Sequence, residues 1–62
     1  MCLSTVYTVH DGIQEKVAEY VTNVAPGDDE ITLTTIMGAK ETIRGRITSI
    51  DLVNNTILVE GA

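Results

Sequence analysis

The sequence predicts an all-β fold, a small barrel of about five short antiparallel strands. Three observations predict it. Valine, isoleucine and threonine make up 23 of the 62 residues, and their branched Cβ atoms crowd a helix but fit a pleated sheet. Turn signals built on Gly, Pro, Asn and Asp recur along the chain and leave apolar runs of strand length between them. The fourth of these runs changes parity midway, as a strand carrying one extra residue does.

The first strand reads Cys2 to Val9, with Leu3, Thr5, Tyr7 and Val9 on one face and Cys2, Ser4, Val6 and Thr8 on the other. His10-Asp11-Gly12 is a turn in which Gly12 takes positive φ without strain. The second strand runs from about Val17 to Val24. Helix competes there, because Glu15 to Ala25 contains good helix formers, and the β-branched content decides for strand. Ala25-Pro26-Gly27-Asp28-Asp29 turns the chain into a third strand, Glu30 to Met37, with Ile31, Leu33 and Thr35 on one face. Gly38-Ala39-Lys40 leads to the fourth strand, Glu41 to Val53. Its apolar positions shift parity between Ile47 and Ile50, which calls for a bulge, and Gly45 is a second point where it can bend. Asn54-Asn55 then makes a two-residue turn into the last strand, Thr56 to Glu60. Five short strands with a bent fourth suggest an SH3-like or Sm-like barrel spanning residues 1–62 as one domain. The core is expected from Leu3 or Val6, with Tyr7, Val9, Val21, Ile31, Leu33, Ile43, Ile47, Ile50, Leu52, Ile57 and Val59.

So short a chain buries only about 60% of its unfolded surface and gains margin from a partner copy, a metal or very regular packing. Phe and Trp are absent, so the core is aliphatic. Nine acids against four bases give a net charge of −5, which argues against a phosphate-tracking nucleic-acid binder. One cysteine excludes an internal disulfide framework. No apolar run approaches the roughly 20 residues a membrane helix needs. No basic segment followed by an apolar one opens the chain, and the expected compartment is the cytoplasm.

Enzyme constellations are missing: no glycine-rich phosphate loop, no paired-cysteine motif, no HExxH. The chain is therefore expected not to be an enzyme. Asp28-Asp29-Glu30 lacks the alternating oxygen ligands of a calcium loop and reads as a solvated turn. Arg44 and Arg46 share a strand face and read as surface charge balance, while with Lys40 and Tyr20 they supply the contacts of an alternative, a small RNA-binding barrel. Tyr7 and Met37 read as packing residues, and His10 as a turn residue with a weaker metal-ligand reading. A third possibility is an interaction module whose sheet edges pair with a partner strand.

Cys2 stands apart because it follows Met1 directly. Its thiolate forms a chelate with its own nitrogen, as a terminal amine if Met1 is removed or as a backbone amide if it stays. Sulfur and nitrogen in a square-planar array suit nickel(II) or copper(II). One chain offers too few ligands, whereas two chains related by a two-fold axis offer two sulfurs and two nitrogens. The ordinary reading of Cys2, a residue of the first strand, remains open on these grounds.

The chain as a whole resembles the CooT family, small nickel-binding accessory proteins of carbon monoxide dehydrogenase maturation. The likeness rests on Met1-Cys2-Leu3 leading into Val6-Tyr7, on Asp11-Gly12, and on Leu33-Thr34-Thr35-Ile36-x-Gly38. It continues through Ile43-x-Gly45-Arg46-Ile47, Ile50-Asp51-Leu52-x-Asn54, and the aliphatic Ile57, Leu58 and Val59. The resemblance implies an SH3-like barrel that forms a homodimer. It implies one nickel(II) per dimer, held by Cys2 of each chain, and carbon monoxide dehydrogenase or another nickel enzyme as client. No role for His10 carries over.

Overall fold

The computed structural model describes residues 3–61, and every regular element among them is a β-strand. The strands are β1 (Ser4–His10), β2 (Ile13–Pro26), β3 (Glu30–Thr35), β4 (Lys40–Asp51) and β5 (Thr56–Gly61). Each pairs antiparallel with the next, and β1 closes the barrel against β5 in parallel. The parallel closure is a matter of parity. In a meander of five strands the first and last run the same way, so joining them leaves no other choice.

The turns follow the predicted chemistry with small changes of boundary. Asp11 and Gly12 take φ of 52° and 79°, the two left-handed residues of a tight hairpin that places His10 opposite Ile13. The β4–β5 connection is longer than the two-residue turn expected at Asn54-Asn55, spanning Leu52 to Asn55, and only Asn55 is left-handed, at 52°. Ile36 and Met37 belong to a turn and not to the third strand, because Thr35 N–H already bonds Ala39 C=O and closes the loop behind them.

Two strands are long and bent, each serving two neighbours. β2 pairs with β1 through Ile13–Val21 and with β3 from Val21 onwards. β4 pairs with β3 up to Arg44 and with β5 from Gly45. The bulge predicted between Ile47 and Ile50 is present: Ile47 faces Val59 and Ser49 faces Leu58, so Thr48 is the extra residue. β2 carries irregularities of its own, and Tyr20 among them has φ of 56°.

The core is Val6, Val21, Ile31, Leu33, Ile57 and Val59, with Val17, Ala18, Val24, Ile43 and Ile47 packed half-buried around it. Four members of the expected core are corrected. Tyr7 and Val9 are only half-buried, because β1 turns Val6 inward and these two lie on the alternate face. Ile50 shares the inner face with its partner Ile57 but is 56% exposed, since only the Asp51–Thr56 rung lies between it and an open barrel end. Leu52 lies beyond that end, in the turn, and is 80% exposed.

Candidate functional site

Cys2, the predicted ligand, lies outside the described residues. What the structure defines is the surface around the segment it leads into. Ser4 opens β1 beside Val21, and Val21 lies beside Thr35. The carbonyl of Tyr20 accepts from Ile36 N–H at 2.9 Å, which ties the β2 bulge to the β3–β4 turn. On the opposite flank Thr5 N–H donates to Asn55 C=O at 2.9 Å, which brings in the β4–β5 turn. The start of β1 therefore runs between two turns.

Both turns present apolar side chains to solvent. Tyr20, Ile36 and Met37 stand on one flank and Ile50, Leu52 and Val53 on the other, each more than half exposed. Sequence reasoning missed this surface. The available signal was a pair of adjacent apolar residues running straight into a turn, at Ile36-Met37 before Gly38 and at Leu52-Val53 before Asn54. A strand alternates, so two such residues in succession cannot both face the core.

The remaining candidates lie apart from this end. His10 ends β1, with its side chain 78% exposed and Nε2 3.4 Å from Asp11 Oδ2. Asp28, Asp29 and Glu30 are exposed, and the turn uses their backbone: Gly27 N–H donates to Glu30 C=O and Gly45 N–H to Asp29 C=O. Among the described residues no group of three or more His, Cys, Asp or Glu is placed to hold a metal ion. Arg44 and Arg46 line an open cleft of about 440 Å³ together with Asp28, Asp29 and Glu60. Two guanidiniums thus share that space with three carboxylates, which cancels the field an RNA backbone needs. Lys40 starts β4 opposite Thr34, and Tyr20 is bonded to the β3–β4 turn, so neither joins the arginine pair. Tyr7 is half-buried in a shallow groove with Gln14, Ser49 and Asp51. Among the described residues no helix is long and apolar enough to cross a membrane.

Comparison with known proteins agrees with the fold and the sequence resemblance. A family model described as CooT, CO dehydrogenase accessory protein CooT, matches residues 1–60. The crystal structure of a protein assigned as CooT from Carboxydothermus hydrogenoformans superposes with a TM-score of 0.89 at 26% identity, covering 98% of each chain. No curated protein matches the chain.

Proposed function

The chain belongs to the CooT family of CO dehydrogenase accessory proteins, and from that premise we propose that it carries nickel(II) between two copies of itself, with Cys2 of each as the thiolate ligand. Nickel is cargo in this reading, and the protein performs no chemistry on it. The receiving enzyme is carbon monoxide dehydrogenase, whose accessory role the family description names.

The observation that carries the proposal is the setting of the N-terminal lead-in. The residue two places after Cys2 begins β1 between two turns that expose large apolar side chains. A two-fold axis through such a surface sets each chain's first residues beside their own copies. One thiolate and one adjacent nitrogen fill half of a square-planar site, and the copy supplies the other half. The described residues offer no competing ligand cluster within one chain, which suits a site completed only by pairing.

The test is a nickel titration of the full chain beside Cys2→Ser, following the sulfur-to-nickel absorption. The expected result is saturation at one nickel per two chains and loss of the band in the variant. An unmodified chain that binds no nickel refutes the reading and leaves the accessory role to a protein contact.

A further inference from the structure

The apolar end that carries the N-terminal lead-in is one end of the barrel, and the opposite end is charged. The late part of β3 and the early part of β5 stand at the apolar end, where Thr35 lies beside Val21 and Thr56 beside Thr5. The other ends of these strands meet β4 where it passes from one to the other. Glu30 faces Arg44 there, and Gly61 faces Gly45. The open cleft of about 440 Å³ lies at this crossing.

Three of its features point to a ligand. Arg44 and Arg46 are the first. They hold alternate positions of β4, so their side chains leave one face of the strand about 7 Å apart. A carboxylate stands directly across from each, Glu30 from Arg44 and Glu60 from Arg46. Neither pair closes, for the ion pairs among the described residues are His10 with Asp11 and Lys16 with Glu19. Both arginines are exposed, so two guanidinium forks stand open to a ligand. The wall between them is the second feature. It is glycine on both strands, and a Cβ on Gly61 would meet nothing within 4 Å, which leaves room for another backbone to come close. The order of charge is the third. Arg44 also lines a neighbouring hollow of about 400 Å³ with Asp28, Asp29 and Glu30. The two cations therefore sit between carboxylates, the acidic turn beside Arg44 and Glu60 beside Arg46.

We propose that this cleft docks an extended protein segment of the pattern base-x-acid-x-acid-x-base, its two acids on Arg44 and Arg46 and its bases on the acidic turn and Glu60. Small-molecule clefts are lined mainly by apolar side chains, whereas charge and glycine line this one. A purely anionic partner, RNA included, meets three carboxylates and a net charge of −5. A segment with acids at its centre and bases at its edges complements all of these groups. Alternate residues of an extended chain point the same way and repeat every ~7 Å, the spacing of the two arginines. Each guanidinium can grip a carboxylate with two hydrogen bonds. Pairing of two copies by their apolar ends leaves this end open, and the inference rests on neither nickel nor Cys2.

The probe is the end-blocked peptide Lys-Ser-Glu-Ser-Glu-Ser-Lys, titrated into the full chain at low salt and followed by amide shifts in two-dimensional NMR. The expected result is saturable binding, with shifts centred on residues 44–46 and 61, that weakens as salt is added. The charge-inverted peptide Glu-Ser-Lys-Ser-Lys-Ser-Glu and the all-glutamate peptide Glu-Ser-Glu-Ser-Glu-Ser-Glu each bind at least tenfold more weakly. Arg44→Glu and Arg46→Glu each cost tenfold or more, while Lys40→Ala and Cys2→Ser bind as the parent does. A peptide with one glutamate changed to lysine recovers most of the affinity lost in Arg44→Glu, which a merely misfolded variant cannot produce. Absence of binding overturns the inference. Equal binding of the inverted or all-glutamate peptide overturns it too, as does tighter binding of a single-stranded RNA oligomer at the same arginines. A chain that binds no nickel but selects the first peptide upholds it and sinks only the nickel reading.

Discussion

Two residues show how single atoms fix this barrel. Gly45 has φ of 145°, and a Cβ there would run into the carbonyl oxygen of Glu60 and lie 3.1 Å from Val59 Cγ1. Backbone cannot move aside as a long side chain can. Gly45→Ala is expected to cost about 2–4 kcal/mol, read from urea denaturation, and a loss within error would show that β4 bends without help from this position. Asp51 is the second case. Its carboxylate is held below its ordinary value of 3.8, first by the backbone N–H of Asn54, then by the Asn54 side-chain amide, with burial opposing and Val53 N–H adding a smaller share. A folded value that is lowered stabilises the fold above the ordinary value, and the contribution is lost as pH falls through the folded one. The melting temperatures of the parent and Asp51→Asn should therefore differ at neutral pH and converge in acid below 3.8. A gap that persists unchanged in acid would place the effect in packing and not in the charge.

At the scale of elements, the bulges decide which residues face inward. Ala18 faces Val6, Val21 is buried, and Val24 faces Leu33. These inward positions are three apart, although a regular strand repeats every two. The register shifts of β2 account for the extra residues. A spacing of three is also near the helical repeat, although helix competed over Glu15 to Ala25 only because that stretch contains good helix formers. In β4 the single extra residue is Thr48, whose hydroxyl donates to Leu58 C=O at 3.3 Å. Thr48→Ala should be tolerated within about 1 kcal/mol. Deleting Thr48 leaves Ile50 two places after Ile47, on the same face of a regular strand, so the deletion variant should still unfold cooperatively, and loss of a cooperative transition in urea would show that the bend at the bulge is itself required. Burial ranks the core substitutions. Leu33 is fully buried, so Leu33→Ala should cost about 2–5 kcal/mol. Ile47 is half-buried, so Ile47→Ala should cost less than Leu33→Ala in the same denaturant series.

At the scale of the whole molecule, the barrel is closed but thinly filled. Among the described residues its buried core is six aliphatic side chains without an aromatic, little for a domain that must offset the conformational entropy of its chain. Closure leaves no free edge where β1 and β5 meet, which directs association to side chains rather than to strand pairing at that seam. If a second copy covers the apolar end, stability depends on protein concentration. The melting temperature of the metal-free chain should rise with each tenfold increase in concentration, and a constant value would mean that folding and pairing are uncoupled.

The sequence by itself determined what depends on near neighbours along the chain: the five strands, the turn residues Asp11-Gly12 and Gly38, and the bulge between Ile47 and Ile50. It also carried the family resemblance, because Met1-Cys2-Leu3 and the later motifs are linear. Tertiary structure alone decided which face of β1 is covered and where the barrel ends. Alternation along a strand fixes which residues share a face, but only the neighbours packed against that face decide whether water reaches it. Val6 and Tyr7 could not be ranked without β2 and β5 in place. Ile50 shares the inner face with Ile57 and is still wet, because among the described residues nothing covers the open end beside it. The left-handed turn at Tyr20 was invisible for the same reason. It follows from where β2 must leave β1 for β3, a long-range condition that a tyrosine at that position does not announce.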